Sequence, residues 1–238
     1  MKIVVGVPCR DEVHTTFTYD LAMAISTHNR NHPDDEIVLS MKRGTLIADQ
    51  RHELAKKAIL EEADYLLMLD SDMRFPHDII EQMVSRDKEI LAACSSTRKF
   101  PTKTNAFRSI RPSLHLWIDE DSKGLHEVAA VGTAIMLIKT EVFFRMDLPF
   151  FEIVWDDYFQ HFMGEDVYFC AKARQAGYQI WVDQDLSHSI RHTGSYEFSH
   201  EDAIINKEDD EEVVKEFIEL RKVLDERDEL RRTEVDDS

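Results

Sequence analysis

Over the first 95 residues, short apolar runs alternate with amphipathic stretches, and this alternation restricts the fold more than any other feature of the chain. Residues 3–7 (IVVGV) form a β-branched run ended by Pro8, the profile of a strand buried on both faces. A helical stretch over about 13–28 follows, and NHPDD at 31–35 breaks it. Residues 36–41 read as a second strand. Residues 49–62 read as a helix, with Leu54, Ala55, Ala58 and Ile59 on one face. Residues 65–69 (YLLML) form a third strand ending at Asp70, Pro76 opens another helix with Ile79, Ile80 and Met83 inward, and 89–94 is a fourth strand. Such alternation builds a doubly wound α/β sheet, which binds ligands at the carboxyl ends of its strands.

The pattern changes after Cys94. Residues 95–112 carry Arg98, Lys99, Lys103, Arg108 and Arg111 with no opposing acid, a loop suited to touching phosphate. Residues 114–118 and 125–131 read as strands around a turn at 119–124, and 134–138 as a further strand. Thr140 is expected to cap a short helix with Glu141 in its first turn. Gly164-Glu165-Asp166 starts a helix that runs to about Ala176, stopped by Gly177, and 178–182 is the final strand. From about Asn206 the chain reads as a charged helix with Val213, Phe217, Leu220 and Leu224 at 4, 3, 4 spacing. That seam is expected to pack on the main domain or on a second copy, making the helix a route to homo-oligomers; a dedicated partner surface is the other reading. The expected organisation is one α/β domain over 1–196 and an acidic helical tail over 197–238.

Charge narrows the function. The net charge is −18, which argues against nucleic acid as a partner, since phosphate backbones require clustered Lys and Arg. Residues 201–238 hold 16 acidic and 7 basic residues, so half of that excess lies in the tail. A chain this acidic needs a bound cation or a local basic pocket to hold an anionic ligand. The longest apolar stretch, 128–138, is too short for a membrane span and is interrupted by Gly132 and Thr133. The N-terminus turns polar after seven residues, without a signal-peptide core, and Cys9, Cys94 and Cys170 are widely spaced. These features predict a cytoplasmic chain with unpaired thiols. Neither GxGxxG nor GxxxxGK[ST] occurs, which argues against a dinucleotide-binding domain and a P-loop NTPase.

Three groups of residues could carry chemistry. The DxD pattern occurs at 70/72, 119/121 and 183/185, but only Asp70-Ser71-Asp72 directly follows an apolar strand of the alternating half. Two carboxylates there suit Mg2+ or Mn2+, with open positions for diphosphate oxygens, although the same residues could serve only turn chemistry before Pro76. Glu165 and Asp166 could answer the N–H groups of a helix start, or one could act as a general base. His192, in RHTG, is a sound third metal ligand if it is not merely a surface residue, with His188 as the fallback. Arg51 could reach phosphate or be solvated, and Cys9, Arg10, Asp11 and Glu12 follow the first strand, where such sheets place a nucleotide.

The order of segments is more specific than any one of them. VVGVPCRDE, then RGTLIADQRHELAKKAILEEADYLLMLDSDMRFP, VAAVGTAIMLIKTEVF, GEDVYFCAKARQAGYQIWVD and RHTG together resemble a nucleotide-sugar glycosyltransferase of the GT-A fold, similar to the family 2 group, over about residues 2–194. The resemblance implies a mixed, mostly parallel sheet flanked by helices, followed here by the charged C-terminal helix. It implies a hexosyltransferase-type enzyme that uses a UDP- or GDP-sugar, Mn2+ or Mg2+, and a glycan, lipid or protein acceptor. Pro8, Cys9, Arg10 and Glu12 would lie along base and ribose, with Arg51 and Ser71 nearby. Asp72 would bind the metal, with Asp70 reaching the ribose or the metal's waters and His192 completing the site. Gly132 and Thr133 match the step beside the donor sugar, and Asp166 or Glu165 matches the base of inverting members. Where family members often carry an acid at the end of the second strand, this chain has Ser40 nearby in IVLSMKRG, which leaves the base open. Two rival readings remain: a catalytically degenerate domain serving as a binding or structural module, and a sugar-phosphate nucleotidyltransferase. The latter usually carries a Gly-rich loop, whereas this chain has only seven glycines.

Overall fold

The computed structural model describes residues 1–98, 101–157, 160–194, 198–201 and 208–236. Seven strands form the central sheet: β1 (Lys2–Cys9), β2 (Glu36–Arg43), β3 (Tyr65–Leu69), β4 (Ile90–Ala92), β5 (Leu125–Val128), β6 (Ile135–Lys139) and β7 (Ile180–Asp183). Their spatial order is β2-β1-β3-β6-β4-β7-β5. β1 pairs in parallel with both β2 and β3, and β7 with β4. β6 runs antiparallel between β3 and β4, and β5 runs antiparallel against β7 at the far edge. Five strands therefore share one direction, and the architecture is a mixed, mostly parallel α/β sheet flanked by helices.

The alternation of side chains across β1 divides the core into two layers. Val4 packs with Leu54, Ala55, Ala58, Leu66 and Met68 on one face; Ile3, Val5 and Val7 pack with Phe17, Leu21, Leu67 and Leu69 on the other. Helices α1 (Thr15–Asn31), α2 (Ile47–Leu60), α3 (Ile79–Ser85), α4 (Glu165–Gln175) and α5 (Gln184–Ser187) lie around the sheet. α1 and α3 cover the Ile3 face, while α2 and α4 cover the Val4 face. α4 ends before Gly177, whose φ of +94° is open to glycine at little cost. Cys94 and Cys170 are buried, and burial pushes both thiols up to about 12, so they pack as small apolar side chains. No helix among the described residues is long and apolar enough to cross a membrane.

Four sequence expectations need correction. The strand expected over 125–131 splits after Val128: β5 joins the main sheet, and Ala130–Val131 pairs instead with Ala106–Ser109. Thr140 does not cap the short helix. It is the first residue of a 3-10 turn, Thr140–Arg145, and its buried hydroxyl makes no hydrogen bond among the described residues. The basic loop is not without opposing acids. Arg98, Arg108 and Arg111 pair with Asp72, Asp210 and Asp156, while Lys99 lies outside the described residues. The tail helix α6 spans Glu208–Asp236, and its expected start at about Asn206 lies outside the described residues. Of its seam only Leu224 is buried, while Leu220 is exposed. The Asp210–Arg108 pair fastens α6 to the domain, and Arg108 also lies 4.2 Å over the Trp117 ring.

Phe169 anchors α4 in this core: it is fully buried and stacks on Phe151 with centroids 4.7 Å apart. Phe169→Ala should cost about 3–5 kcal/mol of unfolding free energy, measured by urea denaturation. A cost below about 1 kcal/mol would mean that α4 is not held by this packing.

Candidate functional site

The centre of the site is a buried cation. Arg51 lies one turn before Leu54 and Ala55 on α2, so the helix face that packs on the sheet carries Arg51 inward with them. The residue is only 4% exposed. Its Nη2 donates to both carboxylate oxygens of Asp70 at 3.0 Å, and its Nη1 donates to Glu165. Asp70 follows β3, and Glu165 is the first residue of α4, so one guanidinium joins three elements. Burial pushes the Glu165 carboxyl up, against the opposing pull of Arg51, and the neighbouring charges of Asp166 and Asp70 push the same way.

Glu165 is thus committed to Arg51, whereas Asp166 is only partly buried and is not bonded to that guanidinium. Asp166 Oδ1 accepts a 2.7 Å bond from the Val167 N–H. Gly164 leaves it room, because a Cβ there would sit 2.9 Å from that oxygen.

The DSD loop is held on both sides by backbone. The Asp70 N–H donates to the Ala134 carbonyl at 2.8 Å, bringing Gly132 and Thr133 to the loop, and His14 N–H donates to the Ser71 carbonyl at 3.2 Å. Gly132 is required by close packing, since a Cβ there would lie 2.5 Å from the Asn105 side chain. Thr133 is buried, and its hydroxyl has no hydrogen-bond partner among the described residues.

Met73–Arg74 then forms a short strand paired antiparallel with Arg191–His192, and Thr193 N–H donates to the Asp72 carbonyl at 2.8 Å. This register sets His192 beside Asp72, with Nε2 3.4 Å from Oδ2. The His192 Nδ1 lies 2.9 Å from the Ser96 carbonyl, which can only accept, so Nδ1 carries a proton. Arg98 Nη1 reaches the same Asp72 oxygen at 2.9 Å. Burial pushes the Asp72 carboxyl up, but the His192 hydrogen bond and the charges of His192 and Arg98 outweigh it and hold the group below the usual range.

Beside these acids is a pocket of about 300 Å³ between the ends of β1 and β3, lined by Pro8, Cys9, Arg10, Gln50 and the DSD residues among others. Glu12 is exposed on the continuing loop. The structure therefore gathers Pro8, Cys9, Arg10, Arg51, Asp70, Ser71, Asp72 and His192 at one sheet edge, with Glu165 tied in through Arg51. His188 stands apart, bonded to Glu201 and to the Ser122 carbonyl. The other two DxD sequences are occupied locally: Asp119 accepts from Ser122, and Asp183 caps α5 and accepts from Arg86.

Two contributors had no local signature in the sequence. Gln50 donates to the Cys9 carbonyl at 3.0 Å and so closes the pocket, and Ser96 orients His192 through its carbonyl. The inward position of Arg51 did have one, its spacing from Leu54, Ala55 and Ala58.

No family model matches the chain, and no curated protein matches its sequence. Among solved structures, the fold is similar to that of A197 from STIV, with a TM-score of 0.56 and 17% identity over 87% of this chain and 97% of that one. S. aureus TarS 1-349 also matches, with a TM-score of 0.43 and 14% identity over 78% of this chain and 58% of that one.

Removing the central cation should expose how much depends on it. Arg51→Ala leaves two carboxylates facing each other in a buried site and should lower unfolding free energy by about 3–5 kcal/mol in a denaturant titration. A near-neutral result would show that Asp70 and Glu165 are held by other groups.

A pH dependence of stability is expected from His200, whose ring meets that of His188 at a centroid distance of 4.8 Å. It is buried, neither ring nitrogen has a hydrogen-bond partner among the described residues, and burial together with nearby His188 pulls it down to about 4. The native state thus favours the neutral ring, so its contribution is complete above the ordinary value of 6.5 and is lost as pH falls from there through about 4. His200→Leu should flatten the stability–pH curve across that window by about one proton. An unchanged slope would remove His200 as its source.

Proposed function

We propose that this chain is a GT-A-type glycosyltransferase that moves a sugar from a UDP- or GDP-sugar to an acceptor hydroxyl in a metal-dependent reaction. Its transferase domain would span 1–196, with 197–238 as an appended tail. The observation that carries this reading is the convergence of Asp72 and His192 at the carboxyl edge of the sheet, against the pocket beneath Pro8–Arg10 and on the same frame as Asp166. Ligands of open α/β sheets bind at that edge.

The donor atoms suit a divalent cation. With its Nδ1 proton directed to the Ser96 carbonyl, His192 would present Nε2 to an ion on the side of Asp72, giving up the proton it shares with that carboxylate, an arrangement typical of ligating histidines. Asp72 and His192 would hold Mn2+ or Mg2+, with Asp70 turned to its waters or to the ribose. Bound there, the ion would neutralise charge on the departing nucleoside diphosphate.

The remaining roles belong to the chain itself. Pro8, Cys9, Arg10, Glu12 and Ser71 line the base and ribose. Arg98 adds a cationic group beside Asp72, where diphosphate oxygens would lie. Gly132 and Thr133 flank the donor sugar. Arg51 holds Asp70 and Glu165 in register rather than meeting phosphate directly. Asp166 accepts the proton of the attacking hydroxyl if the reaction inverts the anomeric carbon. The acceptor would approach past the Val154–Asp156 and His161–Met163 hairpin, whose exposed Trp155 and Phe162 rings meet edge-on at 5.1 Å.

Calorimetric titration of UDP and GDP, each with and without Mn2+, tests the reading. One nucleotide should bind in a metal-dependent manner, and Asp72→Ala should abolish that dependence while leaving the fold intact. Asp166→Asn should keep donor binding and lower transfer by roughly 10²–10⁴-fold. If no nucleotide binds and no nucleotide sugar turns over, the domain is a binding module and the reading fails.

A further inference from the structure

A second cluster of ligating groups lies at the opposite edge of the sheet. α1 runs back from the carboxyl end of β1, so its last turn arrives where β1 begins. The Met1 amino group there donates to Asp35 Oδ1 at 2.5 Å. His28 and His32 project from the same side of this last turn, four residues apart, and the His32 N–H still makes the helical bond to the His28 carbonyl at 2.7 Å. Their rings stack with centroids 4.8 Å apart. Glu81, in the first turn of α3, completes the group, its Oε1 3.7 Å from His32 Nε2. One ligand atom from each of His28, His32 and Glu81 lies within 4.8 Å of the other two.

Two features set this cluster apart from a chance meeting of surface residues. His28 is only 1% exposed, and its Nδ1 has no hydrogen-bond partner among the described residues, an arrangement that costs free energy unless something meets that nitrogen. Its other nitrogen, Nε2, lies 3.1 Å from Asp35 Oδ2, so the carboxylate can fix the ring and its tautomer as it does behind many metal-bound histidines. Glu81 is oriented likewise, because Asn31 Nδ2 donates to its Oε1 at 2.7 Å.

We propose that His28, His32 and Glu81 form a binding site for a Zn2+-class transition-metal ion, separate from the site at the carboxyl edge. Two imidazoles and one carboxylate form a ligand set suited to Zn2+, with water in the fourth position. Ligation would require side-chain rotations that bring the three groups to the ~2.0–2.2 Å bond lengths of this ion. Bound there, the ion ties the end of α1 to α3, and through Asp35 to the N-terminus of β1. Its role is a staple on the sheet edge away from the chemistry. Asp35 is a positioning residue for this site.

The test uses untagged, metal-free protein carrying Asp72→Ala, which removes the cation site proposed above, so that the fate of one proposal does not decide the other. Zn2+ titrated calorimetrically into this protein should bind at one site and raise its melting temperature. Co2+ in place of Zn2+ should give the visible absorption of an imidazole-bound ion. Adding His32→Ala, at a half-exposed position, should weaken Zn2+ binding at least about tenfold and remove the thermal shift. Glu81→Gln should do the same, and it decides the matter if the His32 variant does not fold. Absence of Zn2+ binding to the Asp72→Ala protein overturns the proposal, as does binding that neither added substitution weakens.

Discussion

A charge cannot stay buried alone, and the carboxyl edge of this sheet is arranged around that constraint. Arg51 enters the interior because its place on α2 leaves it nowhere else to go once Leu54, Ala55 and Ala58 pack on the sheet. It is tolerated because Asp70 and Glu165 arrive from β3 and α4 to meet it. The positions of α2, the DSD loop and the start of α4 are therefore coupled. Displacing any one of them uncovers a charge in the other two. Such an arrangement supplies rigidity where a site needs it, by fixing acids that would otherwise repel one another.

The antiparallel strand β6 matters for the same reason. Entering between β3 and β4, it brings the Ala134 carbonyl to the Asp70 N–H and carries Gly132 and Thr133 to the edge where the parallel strands end. The short pairing of Met73–Arg74 with Arg191–His192 then returns a late segment of the chain to an early one, and its register alone decides that His192 rather than His188 stands beside Asp72. At the other edge the histidine cluster depends on the same directionality. A helix that follows a strand must run back to the strand's start, so α1 delivers His28 and His32 far from the acids.

The acidic excess of the chain is met locally by arginines of the 95–112 loop paired closely with acids. Arg98 meets Asp72, Arg108 meets Asp210 and Arg111 meets Asp156, so the basic loop serves partly as an internal counterion. Arg108 also fastens the tail helix to the domain, which explains how a segment with such a narrow apolar seam stays in place.

Much of this architecture was legible in the residues before any coordinates. Apolar runs of strand length separated by helical periodicity define a layered α/β sheet, because only helices on both sides can bury both faces of such strands. Asp70 and Asp72 stood out as a pair on an exposed edge because they directly follow the buried run YLLML. The spacing of Arg51 from Leu54 and Ala55 places it on the buried face of α2, although from the sequence the residue read as one that reaches phosphate or is solvated. What a single sequence could not contain was pairing over long separations. The bond between Arg51 and Glu165 spans 114 residues, and that between Ser96 and His192 spans 96. Local propensity carries no information about such partners, because a carboxylate at a helix start looks the same whether it faces water or a buried guanidinium. Strand identity and the edge that gathers the candidate residues follow from local patterning. The antiparallel entry of β6, the commitment of Glu165 to Arg51 and the choice of His192 were decided only when packing forced each buried polar group to find its partner.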